Sequence, residues 1–245
     1  MTKLTNEQLH YLNMYSVYIE KPKQPLCSLH DVTQCTDEQI THLLATIQQA
    51  SGCPNQTVTS SFFTRRYGLF ISMQFYFLTQ YDEIWEGNFN DFYFGVVEEF
   101  GNQTISMFTS REYWRNVSRE TRETTIRHIL HEQCAPFIQQ IQRVSNLAAL
   151  THWENFFGYL LWHYHVLLEQ EDTHAQAIVD LNILQSDAVW EGIADHSLFA
   201  SYTRGLLPSD LLNTTVRTTC CFSKDVPGLM QCGFCPLKKS KSKRK

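Results

Sequence analysis

Cys220 and Cys221 stand side by side, and Cys232-x-x-Cys235 follows after a ten-residue gap, so four of the chain's eight cysteines fall within sixteen residues. Four thiolates gathered by one short loop complete the coordination of a Cys-ligated metal centre, either a tetrahedral zinc ion or a [2Fe–2S] cluster. Pro227-Gly228 supplies a chain reversal between the pairs. Gly233, inside the second pair, lets the backbone turn beneath a metal with no Cβ in the way. Zinc knuckles space the ligands of each pair by two to four residues, a pattern that Cys232/Cys235 meets and Cys220/Cys221 does not. Adjacent side chains of an extended segment point to opposite sides, which makes two thiolates on one small ion awkward and two on a larger cluster easier. Spacing alone leaves zinc and iron–sulfur both open, with disulfides behind them.

The segment reads Arg217-Thr-Thr-Cys-Cys-Phe222, then Pro227-Gly228, then Gln231-Cys-Gly-Phe-Cys-Pro-Leu-Lys238. In this form it resembles the C-terminal signature of the ferric siderophore reductases of the FhuF type. That resemblance implies a [2Fe–2S] cluster on Cys220, Cys221, Cys232 and Cys235 and one-electron reduction of siderophore-bound ferric iron in the cytoplasm. It covers residues 217 to 238, and all four ligand positions are filled. Upstream, His152-Trp-Glu-Asn155 at the start of a helix also resembles the family.

Other chemistry-bearing residues have blander readings. Cys27, Cys35 and Cys53 lie in loops and helix ends without a close pair, and Cys134 falls on an apolar helical face, so all four read as buried packing thiols. Arg65 and Arg66 sit in an aromatic-rich run and read as cations at the edge of the core rather than anion ligands. His128 and His131 share a helical face but lack a third ligand nearby. His163 and His165, with Trp162 and Tyr164, read as the flanks of a core stripe. No nucleophile or paired-carboxylate motif stands out, and none is needed for one-electron transfer. The absence of a Gly-x-Gly-x-x-Gly fingerprint implies an external electron donor, a ferredoxin or a flavoprotein reductase.

The elements that must position the cysteines are mostly helical. Capping-box spacings at Thr5/Gln8, Thr36/Gln39 and Thr151/Glu154 start helices predicted to run to about Ile19, to Ser51-Gly52 and through Leu168. The aromatic run from Val58 to Tyr81 predicts a buried helix. Residues 92–108 alternate around Gly101-Asn102 and predict a β-hairpin. From Ser118 the helical period returns, with Pro136 bending or restarting it. Further helices are expected over 173–184, 186–196 and up to Gly205. The fold class is therefore mainly α with a small antiparallel hairpin: a helical domain over 1–209, a cysteine-rich iron–sulfur segment over 210–237 and a basic tail over 238–245.

At 245 residues, 43% hydrophobic, the chain can fill one sizeable core. The start has no apolar stretch of signal type and the most apolar run, Tyr67 to Leu78, is too short to span a bilayer. A cytoplasmic protein is expected, where reduced thiols favour metal ligation over disulfides. The formal charge of −5 becomes −11 without the six positive charges of the last eight residues. Such a run reads as a solvated tail, and the acidic body with no reading motif argues against nucleic acid. Two rival functions keep the same four cysteines: a zinc-stabilised interaction module, and an iron–sulfur carrier or sensor that touches no siderophore.

Overall fold

Short-range caps open the first helices of the computed structural model, which describes residues 4–99 and 101–237. The basic run expected over 238–245 lies outside the described residues. Helix α1 (Asn6–Met14) starts from Thr5 through the predicted capping box with Gln8. It ends five residues before the predicted Ile19, because Ser16 turns left-handed at φ 59° and Val17–Tyr18 leaves as strand β1.

The stretch read as a loop up to Cys35 contains strand β2 (Pro25–Ser28) and helix α2 (Leu29–Gln34). Ser28 and Asp31 form a capping box there, with Asp in the place usually held by Glu or Gln. Thr36 and Gln39 then open α3 (Asp37–Ser51) as predicted, and Gly52, left-handed at φ 67°, closes it.

The central element is α4 (Gln56–Tyr81), capped by the Asn55 side chain and buried along nearly its whole length. A helix with large apolar residues on every side belongs in the middle of a core. Tyr67 stacks on Phe137 with ring centroids 4.3 Å apart, Phe70 packs on Phe92 at 4.5 Å and Phe63 on Phe94 at 4.9 Å.

Strand β3 (Glu83–Trp85) follows, then the predicted hairpin, β4 (Tyr93–Glu99) and β5 (Asn102–Phe108), and β6 (Trp114–Asn116). The hairpin does not stand alone. β1 adds parallel to β5 and β2 antiparallel to β4, giving a four-stranded sheet in the order β1-β5-β4-β2, while β3 and β6 pair separately. An isolated hairpin is marginal in water, so the added strands and the aromatic face of α4 complete it.

Helix α5 (Arg122–His128) continues through a π-helical turn at Ile129–Cys134 into α6 (Ala135–Val144). Pro136 lacks the N–H that an α-helical register needs, and the wider turn just before it absorbs the mismatch without ending the helix.

Helix α7 (Ala149–Glu169) begins from Ala148, three residues before the predicted Thr151, with no side-chain cap. It crosses α4 closely: a Cβ on Gly68 would lie 2.8 Å from Phe156 Cδ1. Helix α8 (His174–Gln185) follows. The helix predicted over 186–196 is only a 3-10 turn, Asp187–Trp190, because Gly192 turns left-handed at φ 92° and the chain folds back. Trp190 Nε1 and Ser197 Oγ both donate to the Leu184 carbonyl, at 2.8 and 3.0 Å. Helices α9 (Leu198–Thr203) and α10 (Pro208–Leu211) precede the cysteine segment, and Pro208 opens α10 at a position that needs no N–H.

Buried Arg122 binds both oxygens of the equally buried Asp180 on α8, and also Asp82 and the Leu78 carbonyl at the end of α4. Among the described residues no helix is long and apolar enough to cross a membrane.

Candidate functional site

The cysteine segment lies across the paired helices α4 and α7, and polar residues on both helices hold it. On α7, Thr151, Glu154, Asn155 and Gly158 follow the i, i+3, i+4, i+7 spacing of one helical face. Glu154 is 1% exposed. One of its carboxylate oxygens accepts from the Thr218 N–H (2.8 Å) and hydroxyl (2.7 Å), the other from the Thr219 N–H (2.9 Å) and hydroxyl.

Arg217, also buried, completes the dock. Its Nη1 donates to the Glu154 carbonyl (2.8 Å), Nη2 to Asn155 Oδ1 (2.9 Å) and Nε to the Thr219 carbonyl (3.2 Å), with the Glu154 carboxylate 3.7 Å away. Asn155 Nδ2 donates onward to Ser61 Oγ on α4 (3.0 Å), and Ser61 Oγ donates to the Cys221 carbonyl (2.8 Å). Glu154 therefore serves the cysteine segment rather than the helix-capping role that its spacing from Thr151 predicts.

The Pro227-Gly228 reversal forms as expected. Leu229 N–H donates to the Val226 carbonyl at 3.1 Å with Gly228 at φ 77°, the pattern of a type II turn with Pro at its second position. Ser223 Oγ donates to the Met230 carbonyl across the loop at 2.8 Å. Gly158 on α7 leaves room for the Phe234 ring, which would lie 3.6 Å from a Cβ there and is buried. At Gly233 a Cβ would meet nothing within 4 Å.

All four thiols are free, Cys221 and Cys235 buried, Cys220 and Cys232 half-buried. Cys232 donates a hydrogen bond to Cys221, and Cys220 lies within electrostatic reach of both Cys221 and Cys235. The Cys232 hydrogen bond, with the Arg65 and Arg217 guanidiniums and the Ser223 N–H, pulls the Cys221 thiol well below its ordinary value. The same hydrogen bond, with burial and the charge of Cys221 beside it, holds the proton on Cys232 and pushes that thiol up. Burial raises Cys220.

Two further donors reach sulfur, the Phe222 N–H on Cys220 (3.4 Å) and Gln231 Nε2 on Cys235 (3.0 Å). Among the described residues no three His, Cys, Asp or Glu side chains are arranged to hold a metal ion. Four thiols, N–H groups donating to sulfur and the charges of Arg65 and Arg217 are donor chemistry that would suit an anionic, thiolate-bound group.

Arg65, read from the sequence as an edge cation, turns out to face the thiols. It stands one helical turn after Ser61 on α4. Its Nη2 donates to the Tyr159 hydroxyl at 3.3 Å, while Nη1 is buried with no partner among the described residues. Arg66 does behave as an edge cation, bound to the Ile105 carbonyl and Glu99. Beside it, a cleft of about 270 Å³ opens between the Val226–Leu229 turn and the Arg66–Glu99 pair.

A larger cleft of about 460 Å³ shares no residue with the cysteine segment. Cys27 and Cys35 line its wall together, though they read as unrelated in the sequence. Burial raises both thiols, Cys27 strongly, which keeps them unreactive. Cys53 and Cys134 are buried as expected. His131 binds the Val189 carbonyl and His163 Nδ1 the Ser72 carbonyl.

Ser61, Arg65 and Tyr159 carried no motif in the sequence. The only hint was a serine and an arginine four apart inside a helix otherwise dense in aromatic residues. Compared with models of known protein families, with curated proteins and with solved structures, the chain finds no match.

Proposed function

We propose that the chain is a ferric siderophore reductase, acting in the cytoplasm on ferric iron that arrives bound to a siderophore. The observation that carries this reading is the docking of the four-cysteine segment, reversed at the Val226–Leu229 turn, on polar residues of α4 and α7, joined to the family resemblance of the same residues. Cys220, Cys221, Cys232 and Cys235 would hold a [2Fe–2S] cluster. When bound, such a cluster supplies single electrons, and ferric iron reduced to ferrous is held far more weakly by hard oxygen ligands and leaves its chelate.

The protein's part is to place and tune. Glu154, Asn155 and Arg217 fix the chain entering the first cysteine pair. The Phe222 and Ser223 N–H groups and Gln231 Nε2 direct hydrogen bonds at sulfur, which shift the potential of an iron–sulfur site. Half-buried Cys220 and Cys232 leave one side near solvent, where a chelate or an electron donor can approach. Leu229 and Met230, just before Cys232 in the chain, are exposed. The electron comes from a separate ferredoxin or flavoprotein reductase, and the reaction needs no general acid or base.

Anaerobic purification with an absorption spectrum and iron and sulfide analysis tests the reading. About two irons and two sulfides per chain are expected, with the visible spectrum lost in Cys232→Ser and Cys235→Ser. The reduced protein should be reoxidised by a ferric chelate. Stoichiometric zinc without sulfide would replace this reading with a zinc-stabilised interaction module. A cluster that no ferric chelate reoxidises would make the chain an electron carrier or sensor.

A further inference from the structure

Two guanidinium groups stand behind the thiols, and their surroundings differ. Arg217 is neutralised where it sits: the Glu154 carboxylate lies 3.7 Å from Nε, and all three of its nitrogens donate to Thr219, Glu154, Thr151 and Asn155 oxygens. Arg65 has no carboxylate partner among the described residues. Its Nη2 donates to the Tyr159 hydroxyl at 3.3 Å, its charge acts on the thiols of Cys221 and Cys232, and Nη1 is buried without a hydrogen bond among the described residues. A buried guanidinium nitrogen left unpaired is unfavourable unless an anion offsets it. The backbone aims it consistently, since Ser61, one turn earlier on the same face of α4, holds the Cys221 carbonyl.

We infer that Arg65 is the charge partner of the group bound by the four cysteines and that its uncompensated positive charge raises the reduction potential of that group. The inference rests on the cluster reading above. A [2Fe–2S] unit on four thiolates is anionic and gains one more negative charge on reduction. A fixed cation close by, in surroundings of low dielectric, stabilises the reduced form more than the oxidised one. Arg217 lacks this effect to the same degree because Glu154 offsets its charge. Arg65 is thus a positioning residue for electron transfer, poised between the thiols and Tyr159, and it makes the protein easier to reduce by its donor.

The test is a redox titration followed by absorbance on anaerobically purified parent, Arg65→Gln and Arg65→Lys proteins, with iron and sulfide measured on each. Arg65→Gln is expected to keep its cluster and to be reduced with an equilibrium constant about tenfold smaller, which for one electron is about 59 mV more negative. Arg65→Lys should stay within about threefold of the parent. If Arg65→Gln fails to hold iron and sulfide while Arg65→Lys holds both, the charge is required for loading, which supports the same assignment. An unchanged potential in Arg65→Gln overturns the inference while leaving the cluster reading intact. So does an equal shift, or an equal loss of iron, in both variants, since shape rather than charge would then be at work. Zinc in the parent protein would instead remove the cluster reading, and this inference with it.

Discussion

Glu154 concentrates more of the cysteine segment's anchorage than any other side chain described above. Its carboxylate accepts two backbone N–H groups and two hydroxyls from Thr218 and Thr219 and faces Arg217. Buried carboxylates are tolerable when every lone pair is used in this way, and removing one partner of a buried pair leaves the other exposed to the full desolvation penalty. Glu154→Ala should therefore destabilise the protein by about 3–5 kcal/mol and loosen residues 217–221. Amide exchange would report this as lost protection at Thr218 and Thr219, together with a lower iron content. Unchanged protection there would mean that the dock is held by the Arg217–Asn155–Ser61 chain instead. Glu154→Gln should fall between, because a neutral amide keeps one acceptor and presents an N–H group to donors.

At the scale of elements, the site depends on how closely α4 and α7 approach. Gly68 permits that approach, since a Cβ on it would meet the buried Phe156 ring at 2.8 Å and the Asn155 carbonyl at 3.4 Å. Neither neighbour is free to retreat: Phe156 is 1% exposed, and the Asn155 backbone carries the side chain that links Arg217 to Ser61. Gly68→Ala gains some helix propensity, but overpacking in a closed core outweighs it, typically by about 1–3 kcal/mol. The expected result is a lower denaturation midpoint and a weakened Asn155–Ser61 link, visible as a reduced share of chain loaded with metal. A midpoint at or above that of the parent would show that the helices can separate without loss.

Whole-molecule stability should depend on pH through two buried histidines. Burial holds His152 and His163 down at about 4, against an ordinary value of 6.5. His152 links α7 to α4 through Thr64 Oγ1 at 2.8 Å and to the end of α6 through Ser145 Oγ at 3.3 Å. Between those two pH values the unfolded chain takes up protons that the folded chain refuses, so stability is full above about pH 6.5 and falls as pH drops toward 4. Urea denaturation at stepped pH should show that slope, and His152→Gln should flatten it even if the variant is less stable throughout. A slope identical in both proteins would assign the acid sensitivity to other groups, such as His163.

What the sequence determined by itself is what lies close along the chain. Thr5 with Gln8 and Thr36 with Gln39 started helices because a cap closes over three residues. The 56–81 helix was legible because large apolar residues recur on every side of it, and the Pro227-Gly228 reversal because Pro and Gly fix the φ angles of a turn. The four cysteines were legible as a spaced motif for the same reason. The tertiary structure decided everything that depends on residues far apart meeting across a helix crossing. The Thr151–Glu154 spacing is a valid cap locally, yet two N–H groups and two hydroxyls from residues 218 and 219 satisfy that carboxylate better than one helix terminus can. Arg65 looked like an edge cation until the segment 160 residues later was laid beside it. Val17–Tyr18 and Pro25–Ser28 became strands only because the hairpin offered open edges to pair with. A local pattern reports which groups can bond, and only packing determines which partners reach them, because buried polar groups take the most complete set of hydrogen bonds the fold provides.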